Sequence, residues 1–228
     1  MTTRSEIQAQ YVVAMGRELG EMCAALYHRV AWVHLRWALY KQLFGKCDRR
    51  IALLNETAGS FFGVLQGVLL DDVVLELARL VDSPKSCGKA NLTLLRIPGL
   101  IADQELRPEI EAMVDSAEGA CAKARDQRNR RLAHNDLSLA VETSAKPLPA
   151  IGIADVESAL AAVRDLLNRL DSHYLNSTVA YEYVGTGPTD GDSLVHYLNK
   201  GLQAEQQFED RIRTGQTKPE DDAWYEEV

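Results

Sequence analysis

The sequence has few of the residues that interrupt or staple a fold. It holds 15 glycines and 7 prolines among 228 residues, and only 7% of its residues are aromatic. These proportions exclude collagen-like and low-complexity chains. Because 46% of the residues are hydrophobic, a chain of this length can bury roughly 70% of the surface that its unfolded form exposes. The core therefore needs no disulfide or metal to hold it.

The four cysteines form no C-x-x-C pair, which excludes a zinc ribbon and a thioredoxin-type redox site. We expect reduced thiols in the core of a cytoplasmic protein. These cysteines are Cys23, Cys47, Cys87 and Cys121.

Long hydrophobic runs and targeting signals are also missing. The first residues are polar, so we expect no signal peptide. The most apolar stretch, residues 61–70, is far shorter than the about 20 residues that cross a bilayer. The phosphate-binding loop G-x-x-x-x-G-K-[ST] and the H-E-x-x-H motif are absent, and the histidines have no acidic partners at ligand spacing. We therefore predict no membrane contact, no metal and no cofactor.

Charge is low overall and unevenly spread. The net charge is −8 and the pI about 5.2, which disfavours non-specific binding to nucleic acid. The segment 123–131 nevertheless holds five cations against Asp126 alone, whereas 218–228 holds five acids against one cation. A basic spot thus lies within an acidic protein.

Helical periodicity runs along most of the chain and predicts an all-α, up-down bundle of four to five main helices, with an extra C-terminal helix and a mobile acidic tail. We divide it into a bundle over residues 1–176 and a C-terminal region over 177–228. The second helix is apolar around much of its circumference and should be central, and 178–184 should be extended. The predicted helices are one capped by Ser5 and ending near Gly45, then 48–81, 103–134, one capped by Asp155 and ending near Tyr174, and one capped by Asp192.

The third predicted helix changes character near its end. Its apolar stripe passes through Ala117 and Ala124, and the same register continues to Gln127, Arg131 and His134. Placing such groups against a core costs several kcal/mol unless they pair or meet a ligand. This change is typical of a functional cleft at one end of a bundle.

The chemistry of that segment suits phosphate. Guanidinium groups offer planar, permanently charged donors, and an unperturbed histidine titrates near pH 6.5 and can transfer a proton. Arginine with histidine, without a metal-binding acid cluster, can cleave RNA by using its 2′-hydroxyl as the nucleophile.

The motif Arg128-Asn129-(four residues)-His134 resembles the signature of HEPN domains, most closely that of the abortive-infection (AbiU2-like) HEPN family. The segments 77–82, 91–94 and 37–44 are similar to that family as well, and the resemblance spans about 16–136 and extends towards Tyr174. It implies a metal-independent endoribonuclease acting in phage defence or as a toxin. RNA is then the substrate, and an antitoxin is a candidate partner.

Each site residue takes a role from this resemblance. Arg128 would bind phosphate and stabilise the transition state, His134 would act as general acid or base, and Asn129 would orient them. Arg130 and Arg131 are candidate substrate contacts. Arg79 and Asp82 are interpreted as a supporting ion pair. Asp136 stands where related toxins carry a tyrosine that accepts nucleotidyl groups, so the resemblance does not extend to that mode of silencing.

Helix geometry adds a constraint. On a straight helix, six residues separate Arg128 from His134 by roughly 9 Å and about a third of a turn. Either the helix ends between them, or two chains pool their motifs across a two-fold interface. Following the resemblance, we predict a homodimer with the cleft at its seam.

The sequence is also compatible with two other functions. The chain could be a non-catalytic HEPN-like module that binds a partner protein or a nucleotide through the basic cleft. Alternatively, the arginine cluster could only complement the negative end of a helix dipole, as such clusters commonly do.

Overall fold

The computed structural model describes residues 3–132, 150–183 and 187–216, and within these ranges the chain is almost entirely helical. The prediction of an all-α bundle is confirmed. The α-helices are α1 (Arg4–Met15), α2 (Arg17–Phe44), α3 (Asp48–Leu80), α4 (Leu106–Ala120), α5 (Ala122–Gln127), α6 (Ile153–Leu175) and α7 (Gly191–Thr214). The short strands β1 (Lys85–Ser86) and β2 (Lys89–Ala90) form an antiparallel hairpin.

The first predicted helix is divided in two. Gly16, at φ 79°, separates α1 from α2, and only glycine adopts this conformation readily. A Cβ on Gly20 would lie 2.5 Å from the Tyr11 carbonyl oxygen, so a second glycine permits the close approach of the two helices.

Other predicted boundaries are also wrong in detail. The third helix is interrupted at Cys121, which separates α4 from α5, and α3 is kinked at Ala58. The predicted extended segment instead holds a 3₁₀ turn over Tyr181–Tyr183. The residues that cap helices α1, α6 and α7 are Thr3, Gly152 and Asp190, in place of Ser5, Asp155 and Asp192.

The chain forms two compact units: Met1–Ala38 with Gly67–Gly185, and Leu39–Gln66 with Thr186–Val228. The predicted division at residue 176 stays a prediction, and the acidic tail beyond residue 216 lies outside the described residues.

Ion pairs and packed helices organise the first unit. Arg29 pairs with Glu76, and Arg36 pairs with Asp72 at 2.8 Å. Because the residue numbers rise on α2 as they fall on α3, these two helices run antiparallel. Helix α6 packs against α4 and α1, with a buried face that includes Val163.

The second unit is tied together by the start of α7. The Gln42 side chain accepts a hydrogen bond from the Gly191 backbone N–H at 2.9 Å and donates one to Asp190 at 3.0 Å. Asp192 binds Lys46 and Arg50, at 2.7 and 2.6 Å. The N-terminal part of α7 is thereby fixed within this unit.

The core differs from expectation in two respects. In the last turns of α3 most apolar side chains are fully buried, as predicted for a central helix, although Arg79 is exposed. The middle of the helix exposes Phe61, Val64 and Val68, at 61%, 68% and 58%. All four cysteines are free thiols, but Cys47 and Cys87 are exposed and do not belong to the core. The expectation of four core thiols is therefore half wrong.

A buried carboxyl group gives the first unit a pH-dependent stability. Asp171 is 2% exposed and accepts a 2.9 Å hydrogen bond from the Tyr11 hydroxyl. Burial raises the pKa of Asp171 to about 6 despite this hydrogen bond, whereas an aspartate in an unfolded chain has a pKa of about 3.9. The native state thus binds more protons between these two values, so the free energy of unfolding falls as the pH rises through this window.

We expect Asp171→Asn to remove this dependence, since an amide keeps an acceptor for Tyr11 but does not titrate. Between pH 4 and pH 7, the free energy of unfolding of the wild type, relative to that of the variant, should fall by about 2 kcal/mol. Urea denaturation at several pH values measures this difference. A difference independent of pH would contradict the argument.

Candidate active site

The HEPN-like signature begins where the regular helix ends. Residues Arg128–Leu132 form a π-helical turn directly after α5. Such widened turns are rare and occur frequently at functional sites. The sequence did not predict this turn, which lies at the residues singled out for phosphate chemistry.

Arg128 is held by an acid from another helix. Its Nη2 forms an ion pair with Asp82, just beyond the end of α3, and the two side chains are only 22% and 24% exposed. The Nε of Arg128 is buried and has no hydrogen-bond partner within the described part of the chain. Asp82 thus orients the guanidinium through its Nη2, while the Nε donor forms no hydrogen bond to the described residues.

Arg131 is positioned in a similar way. Its Nη2 pairs with Asp71 on α3, and its Nε donates to the Gln127 side chain at 3.1 Å. Gln127 is 7% exposed, so the polar continuation of the buried stripe is confirmed at that position. Arg131 itself is exposed.

The predicted ion pair between Arg79 and Asp82 is wrong. Arg79 instead contacts Glu76 at 2.6 Å, and Glu76 also binds Arg29 at 2.5 Å. Burial alone would raise the pKa of Glu76, but the hydrogen bonds from Arg29 and Arg79 hold it below its ordinary value. Asp82 is therefore available to Arg128. It supports the signature arginine directly, through its own ion pair.

The remaining signature residues differ in exposure. Asn129 is exposed and Arg130 is half-buried. His134 and Asp136 lie outside the described residues. The assignment of these residues to catalysis, substrate contact or silencing stays a prediction.

A row of acids on α3 is the feature that sequence reasoning missed. Asp71, Asp72 and Glu76 lie among apolar residues in the C-terminal part of α3, and each pairs with an arginine from α2 or from the π-helical turn. A partly buried carboxylate requires a partner. The sequence did carry a signal for these pairs. Acids that recur within an apolar stripe indicate that basic side chains from other helices approach this part of α3.

Two further observations concern the described residues. No group of three or more histidine, cysteine, aspartate or glutamate side chains that could hold a metal ion occurs in them. In the same ranges, no helix combines the length and apolar character that crossing a bilayer requires.

Comparison with known families identifies the chain. The model of the AbiU2 family of HEPN domains matches residues 17–189, which is most of the sequence. The chain belongs to the AbiU2 HEPN family. The match includes the signature and α3, and it extends beyond Tyr174, the furthest residue of the resemblance seen in the sequence. Neither the curated proteins nor the solved structures gave a match.

Membership places the chain in a HEPN-type abortive-infection family. Within this AbiU2 HEPN chain, the π-helical turn and the ion pair of Arg128 with Asp82 lie inside the matched region. They are the structural context of the segment that resembles the HEPN signature.

Proposed function

We propose that this AbiU2 HEPN protein is a metal-independent endoribonuclease that acts in phage defence or as a toxin. The observation that carries the proposal is the half-buried guanidinium of Arg128, which Asp82 holds in place at the start of the π-helical turn, inside the region that matches the family. A fixed guanidinium is suited to binding a phosphate and stabilising the charge that develops on it.

The reaction follows from the chemistry of RNA. The 2′-oxygen attacks the adjacent phosphorus as its proton is removed, and the bond to the 5′-oxygen breaks as that oxygen gains a proton. His134 supplies one of these proton transfers as general base or acid. Arg128 binds the non-bridging oxygens, whose charge increases in the transition state. The products are a 2′,3′-cyclic phosphate end and a 5′-hydroxyl end.

A second copy of the chain completes the site in this proposal. On α3, the exposed side chains of Phe61, Val64 and Val68 recur at a spacing of three to four residues, which places them on one side of that helix. Contiguous exposed apolar surface is typical of an interface. Asp71, which holds Arg131, follows one turn after Val68. A homodimer formed through α3 would thus bring two signatures towards one seam.

The test is cleavage of RNA by purified protein in EDTA. We expect internal cuts that leave 2′,3′-cyclic phosphate ends, no cutting of the matching DNA, which lacks the 2′-hydroxyl, and slowed growth of a host that overexpresses the protein. Intact RNA over a range of salt and pH would contradict the proposal. Products with 3′-hydroxyl ends would contradict the mechanism.

One observation favours a non-catalytic module as the second candidate. Arg128 and Arg131 are already paired with carboxylates, and the net charge of the chain is −8, so a phosphate must compete with these acids. A module of this kind would bind a partner protein or a nucleotide without turnover. Binding of RNA or nucleotide without product in the same assay would select this function.

A further inference from the structure

The hairpin of β1 and β2 projects from the first unit next to the signature. Cys87 and Gly88 form its turn at φ 50° and 78°, and two consecutive positive φ angles are typical of the tight type I′ turn. The register pairs Lys85 with Ala90 and Ser86 with Lys89. All six residues of the hairpin are exposed, so this is a defined projection with no buried side.

Hydrogen bonds fix the base of the hairpin to the end of α3. The hydroxyl of Thr93, which is fully buried, donates to the Leu80 carbonyl at 2.9 Å. The Asn91 side chain donates to the Ser83 carbonyl at 2.8 Å, and its backbone N–H to the Pro84 carbonyl at 2.9 Å. These contacts hold the hairpin against the same helix end that supports Arg128.

The distance from the hairpin to the ion pair of Arg128 is short. Asp82, which binds Arg128, precedes Lys85 by three residues. Three residues of extended chain span at most about 11 Å. The first lysine of the hairpin is therefore within about 11 Å of the acid that positions the signature arginine, measured between their Cα atoms.

Positive charge in this region is not neutralised locally. Residues 83–102 contain Lys85, Lys89 and Arg96 and no acid, in a chain of net charge −8. Among the described ion pairs, Lys85 and Lys89 take part in none, whereas Arg128 and Arg131 are each held by a carboxylate. The cations near the signature that are available to a new anion thus include the two hairpin lysines.

We propose that the hairpin of residues 85–90 is a binding site for RNA backbone phosphates, through Lys85 and Lys89. Lysine is a flexible, hydrated point charge that binds phosphate without reading bases. Two cations on one projection suit successive phosphates of a strand whose scissile bond lies at Arg128. The inference rests on the proposed function, because it assigns the hairpin to the same RNA substrate.

The experiment compares salt dependence of RNA binding. Binding of a fluorescent single-stranded RNA is measured from low to high salt in a His134→Ala background, in which cleavage is expected to be slow during the measurement. Lys85→Gln with Lys89→Gln should reduce the slope of log affinity against log salt by about 1.4, since each phosphate contact on a single strand contributes about 0.7. This change corresponds to roughly 25-fold weaker binding near 0.1 M salt.

The matched control is Arg49→Gln with Lys200→Gln, which removes two exposed cations from α3 and α7 of the second unit and should leave the slope unchanged. An unchanged slope in the hairpin variant, an equal loss in the control, or no RNA binding by the parent would overturn the inference. If the wild-type protein cleaves RNA but the hairpin variant binds normally, only the inference fails. If RNA is never cut but the hairpin variant binds with the reduced slope, only the proposed ribonuclease activity fails.

Discussion

Replacing His134 with alanine is expected to slow RNA cleavage by about 10²- to 10⁴-fold, the usual contribution of a positioned general acid or base. The imidazole transfers a proton at the 2′-hydroxyl or at the leaving 5′-oxygen, and alanine can do neither. Single-turnover cleavage of a labelled RNA in EDTA measures the rate of this step. RNA binding should change little, because the substitution removes no permanent positive charge.

The matched control is His196→Ala, which likewise replaces one histidine by alanine but at an exposed position of α7 in the second unit. It should cleave at the wild-type rate. Cleavage by the His134→Ala variant at that same rate would exclude His134 from the chemistry. A fall in cleavage that accompanies a lowered melting temperature would instead identify a structural role.

Some parts of this fold could be predicted from the sequence and others could not. The spacing of apolar residues predicted α3 and α6. One face of an α-helix recurs every 3.6 residues, so this spacing is visible in the sequence of each helix without knowledge of its neighbours. The division of the first helix depended on Gly16 and Gly20, whose roles are a positive φ and a close backbone approach. A glycine within a helical pattern can lie inside a helix or end one. The positions of Gly16 and Gly20 in the sequence therefore did not show where the helix is interrupted.

The partners of the charged residues were less predictable than the helices. Arg79 and Asp82 are three residues apart, a spacing that favours a local pair on a helix. The buried Glu76 instead takes Arg79 together with Arg29 from α2, since a carboxylate that is only 7% exposed requires compensation. Asp82 is then left for Arg128. Tertiary packing decides which arginine pairs with which carboxylate, and a single sequence does not reveal that packing.

The π-helical turn could not be predicted for the same reason. Its residues have ordinary helical propensities. Its first position is tied to Asp82, just beyond the end of α3, and its fourth position to Asp71 on α3. Two ion pairs, one to α3 and one to the residues that follow it, constrain where both guanidinium groups can lie. We infer that the widened turn satisfies both pairs at once.

Replacing Arg128 with alanine is expected to reduce cleavage by about 10²- to 10³-fold, the usual effect of removing one preorganised donor to transition-state charge. The change also leaves the partly buried Asp82 without its partner. That loss should lower the free energy of unfolding by about 1 to 2 kcal/mol, between the limits for exposed and buried pairs. Cleavage rates and urea denaturation measure the two effects separately.

Arg128→Lys distinguishes the chemical role from the structural one. Lysine keeps a positive charge for Asp82, so stability should recover, but it lacks the planar fork that binds phosphate oxygens in pairs. Cleavage should therefore remain low in a protein of near wild-type stability. Full activity in the lysine variant would show that charge alone is needed at this position.

Mixing two inactive variants tests whether the site is shared between chains. If Arg128 of one chain acts with His134 of its partner, a heterodimer of Arg128→Ala and His134→Ala retains one intact site and one doubly altered site. Co-expression of the two chains with random pairing should then restore about a quarter of wild-type activity. If each chain supplies both groups to its own site, every site lacks one of them and no activity returns. A dimer without recovery would therefore place the arginine and histidine of one site within one chain, and it would leave the seam without a catalytic role.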